Sequence, residues 1–233
     1  MSKKWLRERS KDVWYKKAKS EGYRSRASFK LLQINEQTRI IRPGDRVVDL
    51  GAAPGGWTQI AVELAGPGAP VVGVDLDRIE PLEGATFIRG DMTRPETVVA
   101  VLAEIGGEVD VVLSDMSPNI SGSYTTDHAR SVFLSENALA FATRVLRKGG
   151  VFVCKVFEGE MFPDLLALVK AHFRDVRVIS PEASRKASSE VYIVGKSFNG
   201  KDLRARSEPA EPAWEEGMGL PPSRRARAND GED

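Results

Sequence analysis

Short apolar runs rich in β-branched residues alternate with longer segments of helical periodicity from about residue 46 onward. The apolar runs predict strands at 46–50, 71–75, 86–90, 109–115 and 151–157. The segments between them predict helices at about 56–65, 94–105, 127–147 and 160–172. Because near-continuous apolar strands separated by helices are typical of a parallel sheet covered on both faces, the pattern predicts an α/β fold.

The pattern changes near the end of the chain. Two further strands, near 175–179 and 190–196, follow without an obvious long helix between them. Such spacing favours antiparallel pairing, so we expect a mostly parallel seven-stranded sheet with an antiparallel edge strand and helices on both faces. From residue 199 to 233 periodicity is absent and Pro, Glu, Arg, Gly and Asp dominate, which predicts a disordered tail.

Composition limits the classes of protein to consider. A chain of 233 residues, 41% of them hydrophobic, can bury the core of one domain without disulfides. The single cysteine, Cys154, excludes an internal disulfide and is expected in the core. His128 and His172 are the two histidines and are expected on solvated helix faces, so we expect no metal site. No apolar stretch is long enough for a membrane span or a secretory signal, and we expect a cytoplasmic protein.

Charge is distributed unevenly along a nearly neutral chain. Residues 1–30 carry 11 Lys/Arg against three acidic residues, which predicts a polyanionic partner. Aromatic residues lie between these charges, namely Trp5, Trp14, Tyr15, Tyr23 and Phe29. They can stack on unpaired bases, or they can dock the basic segment onto the core. We therefore divide the chain into a basic, RNA-binding arm or helix at 1–30, a globular domain at 31–198 and the tail.

The strongest local motif is a glycine-rich turn at residues 47–57, VVDLGAAPGGW. A strand ends at Leu50, and a helix begins near Gly56. This is the expected first β–α turn of a doubly wound sheet, where a helix N-terminus and small residues let a nucleoside approach the backbone. The motif is neither the G-x-G-x-x-G fingerprint of dinucleotide enzymes nor a phosphate loop. A tight packing turn is the alternative.

Three aspartates close the strands that follow this turn. Asp75, Asp91 and Asp115 come at the ends of the second, third and fourth predicted strands. Each alone could cap a helix, but all three would meet at one edge of the sheet. Asp75 follows the glycines by about 20 residues, the spacing at which a carboxylate binds ribose hydroxyls. With Asp49 nearby, the predicted cleft is acidic and favours a cationic adenosine cofactor, such as S-adenosylmethionine, over NAD.

Lys155 is the most unusual residue of the predicted core, because it interrupts the apolar strand 151–157. A buried lysine is costly unless it is paired or functional, and burial favours its neutral, basic form. The alternative is an edge-strand lysine that reaches solvent. Glu190 at the start of the last strand and Lys30 in a predicted helix are further candidates, and each could be an ordinary surface residue.

Five segments, in order along the chain, carry the motifs of a known family. They are residues 25–30 (SRASFK), 48–57 (VDLGAAPGGW), 114–122 (SDMSPNISG), 155–159 (KVFEG) and 184–192 (SRKASSEVY). The set resembles the FtsJ/RrmJ family of S-adenosylmethionine-dependent RNA ribose 2′-O-methyltransferases. The resemblance runs from about residue 10 to 197. It is most similar to the enzymes that act on uridine in large-subunit ribosomal RNA, although relatives that methylate tRNA share most of the motifs.

The resemblance implies a Rossmann-like class I methyltransferase domain and assigns roles to residues of this sequence. It implies a catalytic tetrad in which Lys155 is the general base, with Asp115, Lys30 and Glu190 around it. It implies S-adenosylmethionine contacts at Gly51, Gly55, Trp57, Asp75, Asp91 and Asp115. The implied partner is large-subunit ribosomal RNA within the ribosomal subunit, and we expect a monomer with no metal and no membrane contact.

Other functions fit the sequence less well. A dinucleotide oxidoreductase would need the missing glycine fingerprint. A base amino-methyltransferase usually carries an Asn/Asp-Pro-Pro-aromatic motif after the fourth strand, where this chain has Asp115-Met-Ser-Pro118. Carbon-5 methylation needs a catalytic cysteine, and Cys154 is in the wrong place. A tRNA ribose methyltransferase and a non-catalytic ribosome-assembly protein stay open as alternatives.

Overall fold

The computed structural model describes residues 12–185 and 188–203. Its helices are α1 (Val13–Ser20), α2 (Ser28–Thr38), α3 (Gly56–Ala65), α4 (Pro95–Ile105), α5 (Tyr124–Val145) and α6 (Phe162–His172). Its strands are β1 (Val47–Leu50), β2 (Val71–Asp75), β3 (Thr86–Arg89), β4 (Val109–Ser114), β5 (Leu146–Phe157), β6 (Phe173–Ile179) and β7 (Glu190–Phe198).

The strands form one sheet in the order β3-β2-β1-β4-β5-β7-β6. Strands β1 to β5 pair in parallel, and β7 runs antiparallel to both β5 and β6. The predicted α/β fold with a mostly parallel seven-stranded sheet is therefore confirmed. The strand order reverses between β1 and β4, so a crevice opens at the carboxyl edge there, which is where such folds bind ligands.

The predicted antiparallel edge of the sheet is confirmed. The edge strand is β6, which pairs antiparallel with β7, and β7 lies between β5 and β6. Burial agrees with this order. Residues 191–195 of β7 are all buried, so this strand needs a neighbour on each side, whereas most residues of the polar strand β6 are exposed.

Helices cover both faces of the sheet, and successive residues of each strand face opposite layers. On one face, Leu31 of α2 and Ile60 of α3 pack against strand residues such as Val47. On the other face, residues of α4, α5 and α6 pack against the alternate positions, including Val48. This alternation places Cys154 in the second layer, where it is fully buried as predicted, and turns Lys155 toward α2 and α3.

Two predicted element boundaries shift for identifiable reasons. The helix expected at 127–147 begins at Tyr124, because the Asp127 carboxylate reaches back and accepts hydrogen bonds from the Ser121 and Gly122 amides. The helix ends at Val145, because Leu146 is buried and already pairs with Val109 of β4. Strand β5 therefore starts five residues before the apolar run at 151–157 that predicted it.

The aromatic residues of the basic arm mostly dock it onto the core. Phe29 is buried, with its ring 5.1 Å from that of Trp14 and 5.5 Å from that of Tyr23. Ala18 and Ala183 complete this small cluster. These three aromatic residues therefore dock the basic segment onto the core, as the second alternative predicted. The prediction that Phe29 stacks on unpaired bases is wrong, because its ring is buried. Trp5 lies outside the described residues.

Both histidines are buried, so their expected positions on solvated helix faces are wrong. His128 links α5 to the segment after β5, since its Nδ1 lies 2.9 Å from the Phe157 carbonyl oxygen and its Nε2 accepts a 2.9 Å bond from the Met161 amide. His172 is held by the Leu168 carbonyl oxygen of its own helix. Burial is possible because the imidazole nitrogens have partners.

The described part of the predicted tail is anchored to the domain. The Asn199 side chain donates to the Ala171 carbonyl oxygen, and the Leu203 amide donates to the Thr143 hydroxyl. Leu203 also packs against the core layer of α4, α5 and α6. Residues 204–233 lie outside the described part of the chain, as do residues 1–11 of the basic arm.

Candidate active site

Four charged side chains from four elements meet at the carboxyl edge of the sheet. Asp115 directly follows β4, Lys155 lies near the end of β5, and Lys30 lies in the first turn of α2. Glu190 begins β7, and because this strand is antiparallel, its first residues lie beside the last residues of β5. The topology thus gathers residues that are far apart in sequence. We call these four residues the charged tetrad.

The tetrad consists of two close ion pairs. The Lys155 Nζ donates to the Asp115 carbonyl oxygen at 2.7 Å and lies 3.1 Å from the Asp115 Oδ1. The Lys30 Nζ lies 2.6 Å from the Glu190 Oε1. Lys30 is 8% exposed and Lys155 is 7% exposed, so neither reaches solvent as an ordinary surface lysine would. Two positive and two negative groups compensate one another where desolvation would otherwise be costly.

The two carboxylates of the tetrad are held ionised by their neighbours. Burial raises the pKa of Asp115, but the Lys155 and Lys30 ammonium groups and the Tyr192 hydroxyl outweigh it, and the pKa lies below its ordinary value. Burial also raises the pKa of Glu190, and Lys30, with help from the Ser184 hydroxyl, again brings it below the ordinary value. The site therefore offers fixed negative charge beside two amines.

Tyr192 is a site residue that the sequence analysis missed. Its hydroxyl donates a 2.6 Å hydrogen bond to the Asp115 Oδ1, and its ring stacks on Trp57 with centroids 5.6 Å apart. Burial raises the pKa of Tyr192 well above its ordinary value, and Asp115 and Glu190 add to the shift, so the hydroxyl stays a donor. The sequence did contain a signal for Tyr192. Residues two apart on a strand share a face, and Tyr192 follows the predicted site residue Glu190 at that spacing.

A cleft beside the tetrad lies at the turn between β1 and α3. Its lining includes Asp49, Gly51, Trp57 and Asp115, together with Ser25 of the segment before α2. Three of the predicted cofactor residues, Gly51, Trp57 and Asp115, therefore border one space. The Trp57 indole is fixed by a 2.8 Å hydrogen bond to the Ala27 carbonyl oxygen. The cleft thus touches the tetrad at Asp115.

The other predicted cofactor residues, Gly55, Asp75 and Asp91, are not among the residues that line this cleft. Asp75 accepts a 2.9 Å hydrogen bond from the Ala53 amide, so it braces the glycine-rich turn. Gly55 has a φ of 102°, and a Cβ there would lie 2.8 Å from the Arg24 Nη1, so this glycine makes room for a side chain. Asp91 accepts hydrogen bonds from Thr93, whose backbone and side chain hold the pKa of Asp91 below its ordinary value.

Asp49 is a second carboxyl group in the cleft and lies almost fully buried on β1. Its Oδ2 accepts a 2.7 Å hydrogen bond from the Thr58 hydroxyl of α3. Burial raises the pKa of Asp49 to about 7, against the opposing effect of that hydrogen bond. A cation bound in the cleft would favour the ionised form of Asp49.

The carboxyl groups of the cleft fit a positively charged nucleoside cofactor. Asp49 and Asp115 place carboxyl oxygens along its lining, and no lysine or arginine is part of that lining within the described residues. This arrangement suits a sulfonium and an amino group, and it disfavours the diphosphate of a dinucleotide. The described residues contain no cluster of three or more His, Cys, Asp or Glu that could hold a metal ion.

Comparisons with known proteins identify the family. The profile of the family described as FtsJ-like methyltransferase matches residues 23–198. A protein of Methanothrix thermoacetophila named Ribosomal RNA large subunit methyltransferase E is 55% identical over 195 residues, covering 84% of this chain and 76% of the relative. The chain belongs to the FtsJ-like methyltransferase family. Its residues 23–198 are therefore similar in sequence to a family of methyltransferase enzymes.

Further relatives and one solved structure agree with this membership in the FtsJ-like family. Proteins of the same name from Archaeoglobus fulgidus and Hyphomonas neptunium are 53% and 49% identical, covering 80% and 84% of this chain and 96% and 83% of theirs. A crystal structure of a ribosomal RNA methyltransferase from Plasmodium falciparum superposes with a TM-score of 0.69 at 26% identity, covering 77% of this chain and 100% of that one. Within the described residues, no helix is long and apolar enough to cross a membrane.

Proposed function

We propose that this FtsJ-like methyltransferase transfers a methyl group from S-adenosylmethionine to the ribose 2′-oxygen of a uridine in large-subunit ribosomal RNA. The observation that carries the proposal is the buried charged tetrad, which lies directly against the acidic cleft. The names of the similar proteins support the ribosomal RNA substrate.

The cofactor would occupy the cleft beside Asp115. When bound, S-adenosylmethionine supplies a methyl group activated by a sulfonium cation. Gly51 and Trp57 would form the walls of its site, and Asp49 and Asp115 would face its positive charges. Asp75 and Asp91, at the ends of the neighbouring strands, would bind the ribose and base end, as carboxylates at these positions do in doubly wound folds.

Lys155 would act as the general base toward the 2′-hydroxyl. An alcohol is a weak nucleophile, so its proton must leave as the new carbon–oxygen bond forms. Lys155 is placed to accept that proton, because its Nζ lies 3.1 Å from the carboxylate of Asp115, and Asp115 lines the cleft. Asp115 would orient the amine through the 2.7 Å and 3.1 Å contacts, and Tyr192 would hold the Asp115 carboxylate in place.

Lys30 and Glu190 would contribute electrostatic stabilisation of the transition state. The Lys30 ammonium, paired to Glu190 at 2.6 Å, can stabilise negative charge that develops on the ribose oxygen. Because all four side chains are fixed by packing before substrate arrives, little reorganisation is needed during the step. Holding the hydroxyl in line with the methyl group would supply much of the remaining rate enhancement.

RNA would approach the carboxyl edge, where the N-terminal basic arm leads into Lys30. The chain carries 11 Lys/Arg in residues 1–30, enough to draw in a phosphate backbone. We propose the assembled large ribosomal subunit as the natural substrate, a monomeric enzyme and a cytoplasmic location.

Methyl transfer to defined RNA pools tests this function. The protein is incubated with isotope-labelled S-adenosylmethionine and, in parallel, with tRNA, naked large-subunit ribosomal RNA and undermethylated large subunits. Label on a ribose 2′-oxygen of a uridine in the subunit is the expected result. Label in tRNA alone would keep the chemistry and overturn the substrate. Absence of label from every pool, with cofactor binding intact, would favour a non-catalytic RNA-binding role.

A further inference from the structure

Arg24 lies beside the cofactor cleft and joins two loops, of which the glycine-rich turn lines the cleft and the other follows Asp75. Its Nη1 donates to the Pro54 carbonyl oxygen at 3.3 Å and to the Glu80 carbonyl oxygen at 2.7 Å. Its Nη2 donates to the Pro81 carbonyl oxygen at 2.5 Å. Pro54 belongs to the glycine-rich turn after β1, whereas Glu80 and Pro81 belong to the loop after β2 that begins beyond Asp75.

The backbone around Arg24 is fixed to the helix that follows the glycine-rich turn. The Arg24 amide donates to the Gln59 Oε1 at 3.1 Å, and the Gln59 Nε2 donates back to the Gly22 carbonyl oxygen at 3.2 Å. Close beside them, a Cβ at Gly56 would lie only 2.1 Å from the Ser25 Oγ. The glycines of the turn therefore allow Arg24 and Ser25 to approach closely, and Ser25 is part of the lining of the cleft.

We propose that Arg24 is a positioning residue for the cofactor, which sets the spacing of the two loops through its guanidinium group. The proposal rests on the proposed S-adenosylmethionine site. A planar guanidinium can donate to three carbonyl oxygens at once, whereas the ammonium of a lysine is a compact point charge without this fork. The role differs from that of a basic residue in the arm that contacts RNA phosphates, for which charge alone would suffice.

The charge-preserving substitution Arg24→Lys separates these two roles. Isothermal titration measures the affinity for S-adenosylmethionine, anisotropy measures the affinity for a ribosomal RNA fragment, and steady-state kinetics give KM and kcat. For Arg24→Lys we expect a Kd and a KM for S-adenosylmethionine raised about tenfold or more, with an RNA affinity within about twofold of the original. Saturating cofactor should restore most of the rate, which general damage to the fold would not allow.

Arg26→Lys is the matched control, because Arg26 lies in the same segment and bonds to Asp12 and to the Ala183 carbonyl oxygen rather than to the cofactor loops. It should leave the cofactor Kd unchanged. An unchanged cofactor Kd in Arg24→Lys would overturn the positioning role while leaving the proposed function standing. Failure of the unmodified protein to bind S-adenosylmethionine would instead overturn the proposed function and this role with it.

Hydrogen exchange on the unmodified protein tests the same inference without relying on a variant that folds. If Arg24 joins the loops, S-adenosylmethionine should slow exchange together in residues 51–56, in residues 76–84 and in the Arg24 amide. Protection confined to residues 51–56 would contradict the proposal, because the two loops would then respond to the cofactor independently.

Discussion

At the scale of single residues, Lys155 carries the sharpest prediction. Replacing it with alanine removes the proposed base but leaves the lining of the cofactor cleft in place. General-base catalysis contributes about 10²–10⁴-fold to a rate, so we expect kcat for Lys155→Ala to fall by at least that factor. The Kd for S-adenosylmethionine should stay nearly unchanged, as measured by isothermal titration alongside single-turnover methyl transfer.

A second lysine serves as the control for this measurement. Lys170 is exposed on α6, away from the carboxyl edge of the sheet, so Lys170→Ala should retain the original rate and cofactor affinity. A normal rate in Lys155→Ala would show that another group takes the proton. A cofactor affinity lost in parallel with the rate would instead assign Lys155 to cofactor binding.

The raised pKa of Asp49 predicts how the stability of the folded protein changes with pH. Its pKa is about 7 in the folded protein and 3.8 is its ordinary value, so the folded state binds the extra proton between these limits. The stability that the folded protein gains from this bound proton is therefore fully present below about pH 4, and it is lost as pH rises through about 7. Asparagine cannot ionise, so Asp49→Asn should gain stability relative to the original protein, by up to about 1.4 kcal/mol per pH unit over this window.

Urea unfolding of both proteins at pH 5, 6, 7 and 8 measures this difference. The lowered pKa values of Asp115 and Glu190 act in the opposite direction, since ionised carboxylates stabilise the folded state above their ordinary pKa. These groups are present in both proteins, so their effects largely cancel in the comparison. A stability difference that stays constant from pH 5 to pH 8 would show that Asp49 titrates normally.

At the scale of elements, the hydrogen bonds of His128 connect α5 to residues outside that helix, so its loss should cost more stability than the loss of His172. His128→Leu removes the links from α5 to the Phe157 carbonyl and the Met161 amide, which then lack this partner. We expect the free energy of unfolding to fall by about 1–3 kcal/mol. His172→Leu breaks only a bond within its own helix and should cost less, about 0.5–1.5 kcal/mol. Equal losses in the two variants would argue against the link.

The same elements show what the sequence could and could not predict. The run 71–75 and the helix at 56–65 match the structure residue for residue, because periodicity reports burial directly. The buried positions of His128 and His172 were missed, since their hydrogen-bond partners are carbonyls and amides that leave no mark in the sequence. The antiparallel pairing of the last two strands was predicted from the absence of a long helix between them, and the structure confirms it.

At the scale of the whole molecule, the site depends on long-range topology that a motif alone does not contain. The tetrad residues could be predicted one by one from the family resemblance, and the structure brings all four together. Tyr192 and Arg24 were not predicted. The spacing of Tyr192 from Glu190 indicated a shared strand face, but the partners of both residues depend on the fold, since Tyr192 reaches Asp115 across β5 and Arg24 reaches carbonyls of two loops. These partners become visible only once the chain is folded.

The charge distribution of the whole chain predicts how RNA binding responds to salt. Residues 1–11 carry five basic side chains, at Lys3, Lys4, Arg7, Arg9 and Lys11, against Glu8 alone. Each phosphate neutralised contributes about 0.7–0.9 to the slope of log affinity against log salt. Deleting residues 1–11 should therefore weaken binding of a ribosomal RNA fragment and make this slope shallower by up to about 4, as measured by anisotropy between 50 and 200 mM KCl.

Replacing the same five side chains by glutamine separates charge from chain length. Because the expected effect comes from released counterions, the glutamine variant should show the same shallower slope as the deletion. The affinity for S-adenosylmethionine should be preserved in both, since the described residues that line the cleft lie between Ser25 and Asp115. A slope that is unchanged in both variants would place the phosphate contacts beyond residue 11, and Lys16, Lys17 and Lys19 of α1 would then be the first basic residues to test.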